Sequence, residues 1–148
     1  MITADTNVLI YLWDNHAADK MGVAQLVVRA LIERSGPLGL QVIGETQNVL
    51  SRKLRQPAWQ AAQNARYLLS AFAIFRGSED NASESLTLMA AGRMSYWDGM
   101  LVTAARDAGC HVMLSEDMHD GARFGDLEIL NPFGARGPSE RLKALLSL

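Results

Sequence analysis

Four acidic residues of this 148-residue chain lie where predicted secondary-structure elements begin or end: Asp5, Glu45, Asp98 and Asp117. If they converge, their carboxylates repel one another and lose hydration. Such an arrangement favours a hard divalent cation with oxygen ligands, Mg²⁺ or Mn²⁺. A metal held in this way typically polarises a phosphodiester and activates water for in-line attack. Phosphodiester hydrolysis is therefore the reaction that these residue types suit best.

The predicted elements bring the four acids to one place. Three of them follow predicted strands: Asp5 after Ile2 to Ala4, Glu45 after Leu40 to Ile43, and Asp117 after Val112 to Leu114. Further strands are predicted at Phe75 to Ser78 and Leu127 to Leu130. Short apolar strands that alternate with helical patterns predict an α/β fold with a parallel sheet covered on both faces. Ligands of such sheets bind at the carboxyl ends of the strands, so we expect the carboxylates there.

Each acid alone also fits a purely structural role. Asp5, Glu45 and Asp98 suit helix N-termini through the helix dipole, and Asp117 suits a turn. Separate structural roles do not explain why all four acids are predicted at one edge of the sheet. A zinc site is not predicted, because the chain has one cysteine and its three histidines lack zinc-ligand spacing.

The composition fits a single domain with its own core, since 49% of the residues are hydrophobic and 20% are charged. One cysteine cannot form an internal disulfide, which favours a reducing compartment. The sequence shows neither a secretory signal nor an apolar run long enough to span a bilayer, so we expect a cytoplasmic protein.

The charge distribution says more than the net charge of −2, which by itself does not indicate a nucleic-acid binder. Eleven of the 14 cationic residues are arginine, which grips phosphate through two hydrogen bonds. Arg52, Lys53 and Arg55 follow Glu45 on a predicted helix and are candidates for binding the backbone phosphates of a substrate. The alternative is an ordinary solvated helix face.

The segments that carry the acids resemble the PIN-domain ribonucleases: ITADTNVLI, GETQNVL, SYWDGMLVTAA, and LSEDMHDG followed by LEILNPF. The likeness is closest to the toxin subunits of bacterial VapBC toxin–antitoxin modules and covers about residues 1–133. It implies a three-layer α/β/α sandwich with a short parallel sheet. It also implies an Mg²⁺- or Mn²⁺-dependent endoribonuclease that acts on RNA, forms a homodimer and is blocked by a cognate antitoxin protein.

The resemblance also assigns roles by position. Its catalytic acids correspond to Asp5, Glu45, Asp98 and Asp117, and its metal ligands to Asp5, Asp98 and Asp117. Thr6 and Ser115 match hydroxyl residues near the metal, and Asn7 matches a polar residue that orders the first turn. Glu116 and Asp120 stand beside Asp117, and the sequence leaves open whether either shares its role.

Two further features concern partners. Residues 134–148 lie outside the resemblance and predict a short amphipathic helix over Ser139 to Leu148, which packs on its own domain or on a partner. Several bulky apolar residues on the early helices suit either the core or a dimer and antitoxin surface: Trp13, Leu26, Trp59, Tyr67 and Phe72.

Other classes fit less well. A receiver-like phosphoacceptor needs a lysine at a later strand end, and a haloacid-dehalogenase-like phosphatase needs a second aspartate where Asn7 stands. No glycine-rich phosphate-binding motif follows any predicted strand. The remaining alternative to the nuclease is a non-catalytic PIN-like module that binds RNA or protein, although four unneutralised carboxylates have no physical use in such a scaffold.

Overall fold

The computed structural model describes all 148 residues. Seven α-helices are present: α1 (Thr6–Leu9), α2 (Ala18–Glu33), α3 (Leu40–Arg52), α4 (Ala58–Ala71), α5 (Glu79–Ala90), α6 (Tyr96–Asp107) and α7 (Glu140–Leu146). Six strands accompany them: β1 (Ile2–Ala4), β2 (Leu38–Gly39), β3 (Ile74–Phe75), β4 (Val112–Leu114), β5 (Arg123–Phe124) and β6 (Leu127–Leu130). A 3₁₀ helix, Ile10–Trp13, follows α1 directly. None of the helices combines the length and the apolar character that a membrane crossing requires.

The main sheet has the strand order β1-β4-β6-β5. The first three strands are parallel and in register, so Ala4 pairs with Leu114, and Leu114 with Leu130. Their residues are buried almost without a break, as in parallel sheets that helices cover on both faces. The predicted α/β/α sandwich is confirmed. The sheet is not wholly parallel, however, because β5 runs antiparallel to β6, and β2 and β3 form a separate pair.

The predicted strand from Leu40 to Ile43 is wrong, because those residues form the first turn of α3. Val42, Thr46 and Leu50 are fully buried at a spacing of four residues, which is the period of a helix face. The preceding strand is β2, only two residues long. Glu45 therefore lies in the second turn of a helix and not at the end of a strand.

Helices α5 and α6 pack tightly and bring the start of α6 to the edge of the sheet. The predicted strand over Phe75 to Ser78 ends at Phe75, because Ser78 caps α5 in a reciprocal pair with Asn81. Gly99 in α6 lies against Ser85 of α5, where an added Cβ atom would come within 3.0 Å of the serine Cβ. A side chain at position 99 would therefore push the two helices apart.

The C-terminal helix packs on its own domain, which decides between the two alternatives for this segment. Leu142 and Leu146 of α7 belong to the hydrophobic core. Arg34 donates hydrogen bonds to the carbonyl oxygens of Leu145 and Leu146 and so holds the end of α7.

The bulky apolar residues of the early helices divide between core and surface. Phe72 is buried, while Leu26 and Trp13 are partly buried against the core. Trp59 and Tyr67 on α4 are 69% and 52% exposed. Of the five residues, only these two present most of their surface to solvent.

Candidate active site

The four predicted acids line one cleft of about 290 Å³ at the carboxyl ends of β1 and β4. Asp5 directly follows β1, and Asp117 lies in the loop after β4. Asp98 stands in the first turn of α6, and Glu45 reaches the cleft from α3. The structure thus brings together side chains that are up to 112 residues apart in the sequence. The cleft is called the acidic cleft below.

Asp5 is the most deeply buried of the four, with 6% of its surface exposed. One carboxylate oxygen accepts the backbone N–H of Thr6 at 2.7 Å, which caps α1. The other accepts the amide of Asn7 and the hydroxyl of Ser115, each at 3.0 Å. All of these donors are neutral, and no Lys, Arg or His side chain forms an ion pair with Asp5.

Burial dominates the electrostatics of the acidic cleft. The pKa of Asp5 is raised to about 6, chiefly by burial and to a smaller extent by the charges of Asp98 and Glu45, while the hydrogen bonds from Ser115 and Thr6 lower it. Burial also raises the pKa of Asp98, and the nearby Glu45 and Asp117 add to this effect. A bound cation would reverse these shifts, because it favours the ionised form.

Glu45 is held by two donors that fix its orientation. It accepts the Thr6 hydroxyl at 2.8 Å and the Gln41 side-chain amide at 2.8 Å. Gln41 also donates to the carbonyl of Trp97, immediately before Asp98. Gln41 was not among the predicted site residues. Its position four residues before Glu45 signals a contact only once that segment is assigned to a helix.

Glu116 faces away from the acidic cleft and is neutralised elsewhere. It forms an ion pair with Lys20 and accepts the Tyr11 hydroxyl at 2.7 Å. The Lys20 ammonium also lies 4.8 Å from the centre of the Tyr11 ring and 5.2 Å from that of Phe133. This cluster ties the loop after β4 to the start of α2.

Asp120 is engaged as well, while Asp117 is free. Asp120 accepts the Arg141 guanidinium at 2.6 Å and the backbone N–H of Asn131 at 2.9 Å. Asp117 is exposed and has neither a hydrogen bond nor an ion pair through its side chain. Of the three neighbouring acids, Asp117 alone faces the acidic cleft with its carboxylate available.

The three predicted phosphate-binding residues differ in their placement. Lys53 caps the end of α3 and is the only cationic residue that lines the acidic cleft. Arg52 is exposed at the last position of α3. Arg55 lies beyond the helix in a left-handed conformation with φ of 57°, so the prediction that it shares the helix of Glu45 is wrong.

The donor set fits a hard cation in its chemistry, since every candidate ligand is a carboxylate. As the side chains stand, however, no group of three histidine, cysteine, aspartate or glutamate residues is close enough to hold a metal ion. Mutual repulsion of unneutralised carboxylates disfavours closer approach. A cation in this cleft would therefore require the carboxylates to move closer together.

Comparison of the sequence with family models and with curated proteins gave no match. Comparison of the structure with solved structures gave several. A toxin–antitoxin complex from Klebsiella pneumoniae matches with a TM-score of 0.63 and 20% identity over 90% of this chain and 98% of the other. FitAcB from Neisseria gonorrhoeae matches with a TM-score of 0.64 and 17% identity over 89% and 98% of the two chains.

A third match is VapC20 of Mycobacterium tuberculosis, a toxin described as cleaving the sarcin-ricin loop. It has a TM-score of 0.60 and 18% identity over 86% of this chain and 99% of the toxin. The protein thus has the fold of a small α/β/α domain with an acidic cleft at the ends of its parallel strands. More particularly, it is the PIN-domain fold of the VapC-type toxins.

Proposed function

We propose that the protein is an Mg²⁺- or Mn²⁺-dependent endoribonuclease and the toxin of a toxin–antitoxin pair. The observation that carries the proposal is the acidic cleft, where four carboxylates gather with no arginine or histidine and with Lys53 at one wall. The fold shared with VapC toxins supports the same conclusion. A scaffold without a cation gains nothing from such a cluster, since burying unpaired charges costs free energy.

In this proposal Asp5, Asp98 and Asp117 hold the metal ion, which when bound activates water and polarises the phosphodiester. Glu45 completes the set of four catalytic acids. The hydrogen bonds from Asn7 and Ser115 fix the carboxylate of Asp5, and Thr6 does the same for Glu45. These neutral donors orient the acids without cancelling their charge, so the full negative charge stays available to a cation.

Substrate contacts lie on the α3 side of the acidic cleft. Lys53 is placed to meet a phosphate next to the scissile one, and Arg52 and Arg55 extend the positive surface beyond it. RNA is the proposed substrate on the likeness to VapC toxins.

A cognate antitoxin is the proposed inhibitor, because the similar structures from Klebsiella pneumoniae and Neisseria gonorrhoeae are a toxin–antitoxin complex and FitAcB. The exposed Trp59 and Tyr67 on α4 offer apolar anchors for such a protein or for a second copy of this chain. A cytoplasmic location follows from the same proposal, since its substrate is cellular RNA.

Metal titration tests the proposal most directly. Isothermal titration of the purified chain with Mn²⁺ should show binding that disappears in Asp5→Asn, and cleavage of single-stranded RNA should stop in EDTA and return with Mn²⁺. Asp126→Asn is the matched control, because Asp126 is exposed and lies outside the acidic cleft. A chain that binds RNA but ignores Mn²⁺ would instead be the non-catalytic binding module.

A further inference from the structure

A second cavity opens directly beside the acidic cleft. It has a volume of about 340 Å³ and shares Asp98 and Asp117 with the cleft. Its floor is apolar, formed by Met118 and Phe124, which are 8% exposed, and by the fully buried Ile129. The catalytic proposal does not use this cavity. We call it the side pocket.

Besides Asp117, two side chains at the side pocket have polar groups without partners. Arg93 is exposed, forms no ion pair or side-chain hydrogen bond, and its guanidinium lies 5.4 Å from the centre of the Phe124 ring. His119 also lines the pocket, and its imidazole has no hydrogen bond. The Arg93 side chain thus lies near an aromatic ring and is still accessible from solvent.

We propose that the side pocket binds one unpaired RNA base next to the cleaved phosphodiester. Unstacked bases in single-stranded RNA are recognised by stacking on aromatic rings or on arginine planes and by hydrogen bonds to their edges. The Arg93 guanidinium, backed by Phe124, supplies the stacking plane. His119 supplies the edge contact, and Met94 and Met118 supply an adaptable apolar wall.

Because the side pocket is continuous with the acidic cleft, its occupant is a base and not another small apolar ligand. The two cavities meet at Asp98 and Asp117, so a phosphate at the acids places the neighbouring base at the pocket mouth. The volume lies near the lower end of the range for small-molecule sites, which suits one base and not a whole peptide segment. This inference rests on the proposed function, of which it is the substrate-recognition part.

The test measures binding without cleavage, in EDTA. The probes are short single-stranded homopolymers of A, C and U and an abasic ribose-phosphate oligomer of equal length. Wild type should bind at least one base-containing oligomer on the order of 10-fold tighter than the abasic one, the effect typical of one stacked base. Arg93→Ala should lose this preference while still binding the abasic oligomer. His119→Ala should change which base is preferred.

The control is Arg29→Ala, since Arg29 is exposed on α2, lines neither cavity and forms no ion pair. It should behave as wild type. Equal binding of abasic and base-containing oligomers by wild type would overturn the side pocket, as would an equal loss for both probes in Arg93→Ala. Base preference without Mn²⁺-dependent cleavage would refute the nuclease and keep the pocket. Mn²⁺-dependent cleavage without base preference would refute the side pocket and keep the nuclease.

Discussion

An aspartate stands at each end of α6, and the pKa values of the two are shifted in opposite directions. Asp98 in the first turn has no cationic partner, and burial raises its pKa. Asp107 is the last residue of the helix, where it accepts hydrogen bonds from Asn81 at 2.7 Å and Arg106 at 2.9 Å. Burial raises the pKa of Asp107 too, but these hydrogen bonds and the arginine charge outweigh it, so the pKa is lowered.

This is the reverse of what the helix dipole alone predicts. The dipole favours a carboxylate at the N-terminal end of a helix and disfavours one at the C-terminal end. Its effect is small beside burial next to other acids, as at Asp98, or a guanidinium in contact, as at Asp107. The position of an acid on a helix therefore does not show whether its charge is neutralised. The charged groups around the acid show this.

The largest expected difference between the two ends is in catalysis. Asp98→Asn should lower RNA cleavage by more than the roughly 10- to 100-fold typical of losing an outer-shell partner, because it removes a proposed metal ligand. Asp107→Asn, the same change on the same helix, should leave cleavage unchanged. A single-turnover assay with Mn²⁺ on both variants checks this, and equal rates would remove Asp98 from the proposed site.

Stability of the metal-free protein should depend on Asp5. Its pKa is about 6 when folded and near 3.8 when unfolded, so its stabilising contribution is complete below pH 3.8 and is lost as the pH rises through 6. The difference between these two pKa values corresponds to about 3 kcal/mol. Denaturant unfolding in EDTA should show this loss between about pH 4 and pH 6 in wild type and a smaller loss in Asp5→Asn, where only Asp98 still titrates with a raised pKa. An identical pH dependence in both proteins would contradict the burial argument.

Arg106 at the other end of α6 should have a smaller effect, confined to stability. Arg106→Met breaks two contacts with Glu84, at 2.7 and 2.8 Å, as well as the contact with Asp107. These groups are partly exposed, so we expect a loss of about 1 kcal/mol at pH 7. Because the pKa values of Glu84 and Asp107 are lowered, the difference from wild type should shrink as the pH falls below about 4. Unfolding at two pH values measures it.

The smallest expected effect concerns Lys53, the one cation at the acidic cleft. If it contacts a phosphate, Lys53→Ala should reduce the log-log salt slope of single-strand RNA binding by about 0.7. Arg66→Ala serves as the control, because Arg66 is exposed on α4 and lines neither cavity. Unchanged affinity and slope would make Lys53 a solubilising residue only.

The sequence located the acidic cleft more reliably than the elements that build it. The apolar runs before Asp5 and Asp117 are true buried strands, and burial on both faces leaves a pattern that is easy to recognise. The sequence predicts a strand before Glu45 where the structure has a helix, since a short apolar run fits both structures. Glu45 still lines the cleft from the second turn of α3.

Other features depend on tertiary contacts that no local pattern records. Glu116 and Asp120 stand beside Asp117 in the sequence. Their neutralisation is visible only in the structure, where Lys20 pairs with Glu116 and Arg141 with Asp120. Likewise, the docking of α7 depends on the burial of Leu142 and Leu146 in the core of the domain. A local sequence motif does not show a charge partner that lies more than 20 residues away.

The pairing of β1 with β4 also determines when the acidic cleft can assemble during synthesis of the chain. Ile2 pairs with Val112, and the backbone N–H of Asp5 donates to the carbonyl of Leu114, so the first strand has no partner until more than a hundred further residues exist. At roughly 5–20 residues per second, translation of that stretch takes on the order of 5–20 seconds. Until then the ribosome-bound chain lacks Asp117 and the sheet edge that gathers the acids. A nascent chain therefore has no assembled acidic cleft beside the ribosome that makes it.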